Sequence, residues 1–129
     1  MVRYTMSVDG YQWQNRQGSS SLRSTGLLVC TAAGSTAWMY QCGGKIMPLG
    51  SRKMQFHERE QRKSGFHFAS EEIVVQSQTR AGMLYLDGGH CTEKFTFEST
   101  ITITPGIRLT VLGDLRAKRK RKETILLNQ

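Results

Sequence analysis

Val2, Tyr4, Met6 and Val8 alternate with Arg3, Thr5 and Ser7, the period-two pattern of a strand with one buried face. Asp9-Gly10 then offers a hairpin turn, and Tyr11 and Trp13 continue the alternation on the return. Residues 15–25 are polar, rich in Ser, Gln and Gly, and read as a loop. Leu27 to Cys30 form an apolar run of strand length, and Met54 and Phe56 alternate briefly before a charged, exposed segment, HEREQRKSG. Phe66 and Phe68 precede Glu71-Glu72, Ile73 to Val75 reads as another strand, and Met83 to Leu86 is a further apolar run stopped by Asp87-Gly88-Gly89. In the last third, Phe95 and Phe97, then Ile101 and Ile103, alternate up to a Pro105-Gly106 turn, after which Ile107, Leu109 and Val111 alternate again. Short strands punctuated by turn residues predict a mainly β fold, a sandwich or meander. Only Ser35 to Gln41 fits a helix template.

The chain is organised around TGLLVCTAAGSTAWMYQCGG, Thr25 to Gly44. A strand runs into the small residues Thr31, Ala32, Ala33, Gly34, Ser35, Thr36 and Ala37, and Trp38 and Tyr40 follow before a Gly43-Gly44 stop. A turn of this kind, with backbone N–H groups and hydroxyls exposed beside an aromatic ring, suits a polar ligand carrying phosphate or ribose. Gly34 and the alanines would let such a ligand approach the main chain closely. The same residues also suit a tight turn into a short helix packed by Trp38.

This stretch resembles the signature of the NAD kinase family, whose usual form runs strand, S-T-P-T-G-S-T-A-Y, a few residues, then Gly-Gly. Thr31, Gly34, Ser35, Thr36, Ala37, Trp38 and Gly43-Gly44 stand at the matching positions. The resemblance implies a β-rich, NAD-holding domain that in the family follows an N-terminal α/β domain bearing Gly-Gly-Asp-Gly. That motif, the Asn-Glu pair of the family and a G-x-x-x-x-G-K-[ST] loop are missing from this sequence. Phosphoryl transfer to the ribose 2′-hydroxyl needs a polarised attacking oxygen and a charge-neutralising cradle. The chain is therefore expected to be a fragment or separately encoded half that supplies the NAD surface without catalysing on its own. ATP and Mg2+ are implied by the family alone, as is homo-oligomerisation.

Carried over residue by residue, Thr36, Ala37 and Trp38 fall on the T-A-Y positions that line the dinucleotide pocket, and Gly34 and Ser35 complete the turn. Trp38 in place of Tyr keeps a stacking face and exchanges a hydroxyl for an indole N–H. Ala33 falls on a Thr or Ser position, Ala32 on a Pro, and Thr25 on a common Asp, so the ligand loses a hydroxyl and a carboxylate. Asp87 resembles the aspartate of the family's V-x-x-D-G turn near bound NAD, although Asp-Gly-Gly equally makes a plain hairpin turn. Met54 to Gln61, MQFHEREQ, resembles the strand followed by Arg-Glu in the diverged, mitochondrial-type branch.

At 129 residues the chain is one domain by size, able to bury roughly two-thirds of its unfolded surface. No apolar run approaches a membrane span, and no signal-peptide pattern opens it. The net charge is +8, but Arg116, Lys118, Arg119, Lys120, Arg121 and Lys122 supply six of those charges within seven positions, leaving about +2 for the rest. The body therefore lacks the basic surface that signals nucleic-acid binding. The organisation expected is a β domain over residues 1–115 and a solvated, mobile basic tail over 116–129, the tail also fitting an import signal or a polyanion contact. Cys30, Cys42 and Cys91 are odd in number without C-x-x-C spacing, which points to reduced thiols in a cytoplasmic compartment; the resemblance to the mitochondrial-type branch implies a mitochondrial setting as the alternative. His57 beside Glu58, and His90-Cys91, do not assemble four metal ligands or a marked nucleophile–base pair. The rival to a dinucleotide domain is a non-enzymatic β-rich module that holds nucleotides or polyanions.

Overall fold

A computed structural model describes residues 1–60, 65–110 and 112–128. The alternation at the start of the chain becomes β1 (Val2–Val8), with Tyr4, Met6 and Val8 buried. β1 is the middle of a five-stranded antiparallel sheet. On one side it pairs with β7 (Ile73–Ser77), Met6 opposite Val75, and β10 (Thr100–Ile103) adds beyond β7 with Ile101 opposite Val75. On the other side it pairs with β2 (Tyr11–Gln12) and β3 (Leu22–Ser24). Asp9 and Gly10 take φ of 51° and 84° in the tight turn between β1 and β2, the left-handed pair that a two-residue hairpin requires. The Asp9 carboxylate also accepts the backbone N–H groups of Ser70, Glu71 and Glu72 at 2.8, 2.7 and 3.0 Å, tying that turn to the approach to β7.

A second antiparallel sheet runs β4 (Leu27–Cys30), β5 (Met54–Glu58) and β6 (Phe66–Ala69) in that order. Tyr4, Met6, Val8, Leu22, Ile73 and Val75 from the first sheet meet Met54, Phe56 and Ala69 from the second in one core, the packing of a sandwich. One carboxylate crosses that core: buried Glu58 accepts the Tyr4 hydroxyl at 2.7 Å and the Trp13 indole N–H at 3.1 Å. Burial and the neighbouring Glu58 carboxylate push the Tyr4 phenol well above its ordinary range, with the Ser24 hydrogen bond opposing them. β8 (Met83–Leu86) and β9 (Cys91–Lys94) form a separate exposed hairpin.

Mainly β architecture is thus what the alternation predicts, with local differences; Phe95 and Phe97, which also alternate, lie between β9 and β10 and outside any strand. The polar stretch 15–25 contains β3, because Leu22 is buried and the Ser24 hydroxyl is satisfied by Tyr4 and the Gly26 carbonyl. Residues 107–110 form no strand: Ile107 and Leu109 satisfy the period but stand 94% and 86% exposed with no paired neighbour, and Val111 lies outside the described residues, as do Gln61 to Ser64. His57 and Glu58 are not on a charged loop but on β5, where His57 stacks on Phe66 and Glu58 turns inward.

The basic C-terminal run is helical. It lies in α2 (Leu115–Leu127), capped where Asp114 accepts the Ala117 N–H at 3.0 Å. Among the described helices none is long and apolar enough to cross a membrane.

Candidate functional site

β4 delivers the chain to Thr31, where the backbone tightens. The N–H of Gly34 donates to the Thr31 carbonyl at 3.1 Å and that of Ser35 to the Ala32 carbonyl at 3.2 Å, giving a 3-10 turn over Ala33–Thr36. A side chain at Gly34 would place its Cβ 3.3 Å from the Cys30 Cβ, so the turn's return past β4 needs a small residue there. After Ala37 the chain makes one turn of helix, α1 (Trp38–Gln41). The helix ends as its glycines dictate. Gly43, at φ 96°, donates to the Tyr40 carbonyl, and Gly44 donates to the Met39 carbonyl, the paired bonds of a glycine C-cap. Buried Gln55 on β5 then clamps the next residue, its amide oxygen accepting the Lys45 N–H at 2.9 Å and its amide nitrogen donating to the Lys45 carbonyl at 2.8 Å.

The turn has two faces. Ser35 is fully buried and Thr36 is 5% exposed, so the expectation of exposed hydroxyls is corrected. The Ser35 hydroxyl donates to the Ala32 carbonyl at 2.7 Å and accepts the Met47 N–H at 2.9 Å. The Arg119 guanidinium comes up behind it from α2. Its Nη2 donates to the Ala32 carbonyl, the Ser35 hydroxyl and the Met47 carbonyl at 2.5, 3.0 and 2.9 Å, and its Nη1 reaches the Thr36 hydroxyl at 3.4 Å. The Tyr40 hydroxyl adds a second tie, donating to the Leu126 carbonyl at 3.3 Å.

The solvent face carries Ala33, Ala37 and Trp38, the last 50% exposed. The Arg59 guanidinium lies 4.7 Å from the centre of the Trp38 ring, a cation–π pair. Beyond Met47 an open groove of about 310 Å³ is flanked by Lys45, Lys53 and Phe68. Gly34, Ser35, Thr36, Ala33, Ala37 and Trp38 therefore come together in one element, three of them facing solvent. Asp87 does not join them by any hydrogen bond among the described residues; it sits exposed, at φ 54°, in the hairpin turn between β8 and β9. Burial pushes the Cys30 thiol upward beneath the turn, which disfavours the nucleophilic thiolate. No group of three metal-ligating side chains occurs among the described residues.

Arg59, noted only within the Met54 to Gln61 resemblance, and Arg119, counted only in the basic run, are site features that the sequence does not place beside the turn. A signal for Arg119 existed. Leu115, Arg119, Glu123 and Leu126 share one helical face by their spacing, so a helical reading of the run turns that arginine inward.

Antiparallel sheets, a strand-fed small-residue turn and a glycine-stopped helix define a mainly β domain whose short loop shows Ala33, Ala37 and Trp38 to solvent. No family model matches the chain. It is 36% identical over 104 residues to an NADH kinase of Arabidopsis thaliana, 70% of this chain and 33% of that protein. It is 32% identical over 113 residues to a probable NADH kinase of Oryza sativa subsp. japonica, 76% of this chain and 35% of that protein. It is also 26% identical, over an alignment of 137 positions with gaps, to an NAD kinase of Cupriavidus pinatubonensis, 98% of this chain and 36% of that protein. The chain is thus similar to members of the NAD kinase family, and it spans about a third of the length of the curated relatives it matches.

Proposed function

We propose that the chain is the dinucleotide-binding domain of an NAD kinase-like protein, holding NAD, oxidised or reduced, on the Ala33–Ala37–Trp38 face for ATP-dependent phosphorylation of the ribose 2′-hydroxyl. The observation that carries this is the element itself. G-S-T-A-Trp and Gly-Gly, aligned by resemblance with the family signature, fold as strand, tight turn and capped helix with an exposed ring flanked by Arg59. Trp38 supplies a stacking face, and Arg59 with Lys45 and Lys53 supplies positive charge for a pyrophosphate. Gly34, Ser35 and Thr36 shape the loop, and Asp87 would join the ligand from the neighbouring hairpin. The aspartate of the Gly-Gly-Asp-Gly motif, with ATP and Mg2+, would come from an α/β domain not contained in this sequence. Residues 1–115 form the β domain in this reading and 116–129 the basic segment. Oligomerisation through the β domain and a cytoplasmic or mitochondrial setting belong to the same proposal.

Calorimetric titration of the purified chain with NAD and NADH tests it. Saturable binding is expected, weakened on the order of tenfold by Trp38→Ala, the scale of one lost base–aromatic stack. Absence of binding by either dinucleotide refutes the reading. The exposed cations of α2 favour one rival, a polyanion-binding module, whose affinity would fall steeply with salt and ignore Trp38.

A further inference from the structure

The basic segment and the glycine turn meet at one guanidinium. Arg119 is 83 or more residues from each acceptor it holds in the turn, and its side chain is only 11% exposed. A charged group is buried only where its donors are satisfied. Here the Nη1 and Nη2 donors are satisfied, by the turn and by Met47. Two carbonyls from separate segments, Ala32 and Met47, and two hydroxyls, Ser35 and Thr36, converge on Nη1 and Nη2. The remaining donor, Nε, is buried without a hydrogen-bond partner and faces the Glu123 carboxylate at 3.8 Å, beyond hydrogen-bonding distance. No lysine could replace this fork, because an ammonium is a point donor on a flexible stem.

The guanidinium approaches the buried side of the turn and leaves Ala33, Ala37 and Trp38 open to solvent. It therefore supports the ligand face without occupying it. We propose that Arg119 is a positioning residue for the dinucleotide loop. Docking of α2 through Arg119 fixes the turn in its ligand-ready shape, so that α2 docking and NAD binding strengthen one another. The proposal rests on the dinucleotide reading of the turn. Reciprocity follows from linkage: whatever factor docking adds to NAD affinity, NAD adds to docking. The six basic residues of the run are also six trypsin sites, so docking can be read directly by cleavage.

The test compares the full chain with Arg119→Ala and Arg119→Lys by hydrogen exchange, NAD titration and limited trypsin digestion. Expected in Arg119→Ala is exchange at the Gly34–Met39 and Met47 amides about tenfold faster, with the β1 and β7 amides unchanged as an internal check of folding. NAD affinity falls by a similar factor, and Arg119→Lys recovers only part of it. NAD slows cleavage within α2 of the parent chain and has no such effect in Arg119→Ala. If the parent binds NAD and Arg119→Ala binds it equally well with unchanged turn exchange, the inference fails and the dinucleotide reading survives. Tighter NAD binding by Arg119→Ala would make α2 a plug and also overturns it. Failure of the parent chain to bind NAD or NADH overturns the dinucleotide reading and, with it, this linkage.

Discussion

Gly44 is where the turn, the helix and the second sheet converge, and its hydrogen atom is the perturbable feature. A Cβ built there lies 2.6 Å from the Met39 Cγ, 2.7 Å from the Met39 carbonyl oxygen and 2.9 Å from the Gln55 amide oxygen. The Met39 side chain is flexible but only 1% exposed, and its carbonyl is held by the Gly44 N–H at 2.8 Å. Gln55 cannot withdraw without releasing Lys45. Gly44→Ala must therefore push the end of α1 away from β5 by more than half an ångström or break the Gln55 clamp. Overpacking of this kind costs about 1–3 kcal/mol, and a weakened buried hydrogen bond adds about 1 kcal/mol. Against this stands a gain of about 0.4–1 kcal/mol from a stiffer unfolded chain, so the net loss expected is about 1–4 kcal/mol. Gly50→Ala isolates that gain, since its Cβ meets nothing within 4 Å, and it should be neutral or slightly stabilising. Urea unfolding of both variants beside the parent gives the difference directly. If Gly44→Ala lies within 0.5 kcal/mol of Gly50→Ala, the close approach of Gly44 to Met39 and Gln55 does not constrain the site, and the steric account of the Gly-Gly stop is wrong.

Tyr4→Phe removes the hydroxyl that donates to Glu58 at 2.7 Å and lies 3.1 Å from Ser24; a buried carboxylate left short of a donor should cost about 2 kcal/mol, read from the urea midpoint. Asp9 is held below the usual carboxylate range by the three backbone N–H groups of Ser70, Glu71 and Glu72. A depressed folded pKa means stability fully present above the unfolded value of about 3.9 and lost as pH falls through the folded one. Asp9→Asn, which tolerates the left-handed backbone, should accordingly be less stable than the parent at pH 7 and converge with it under acid; a constant gap across an acid titration would show that the carboxylate charge is irrelevant. Arg59→Gln takes the cation from the Trp38 ring and should weaken NAD binding a few-fold while flattening its salt dependence, whereas unchanged affinity would place the pyrophosphate away from Arg59.

Much of the scaffold was legible because period-two alternation is a local property. Tyr4, Met6 and Val8 declare a buried face, and Asp9-Gly10 declares the turn that follows, within a few residues of chain. β3 was hidden because a three-residue strand offers one apolar position, Leu22, while its second buried residue, Ser24, is polar and acceptable only against Tyr4 and Gly26. Ile107 and Leu109 show the converse. Alternation marks a segment that can pair, and whether it does so depends on an available edge elsewhere.

The same asymmetry governs the site. The Gly-Gly stop could be read from sequence because a glycine C-cap is built from adjacent residues. The direction of the Ser35 and Thr36 hydroxyls could not, because a small polar side chain at a tight turn points wherever its partner stands, and the partner here is Arg119. Composition assigned that arginine to a solvated run, since six like charges in seven positions normally repel and stay in water. Helical winding breaks the run into faces. One cation turns inward at a position shared with Leu115 and Leu126, and the exposed residues Arg116, Lys118, Lys120, Arg121 and Lys122 keep the repulsion in solvent. The inward guanidinium is tolerated because the turn offers it carbonyls and hydroxyls. The Ala32 carbonyl is aimed inward where the Gly34–Ser35 turn bends the chain, and Met47 is drawn beside it by its N–H bond to the Ser35 hydroxyl. Neither segment accounts for its own conformation alone, and for that reason the loop's shape and the helix's docking should rise and fall together.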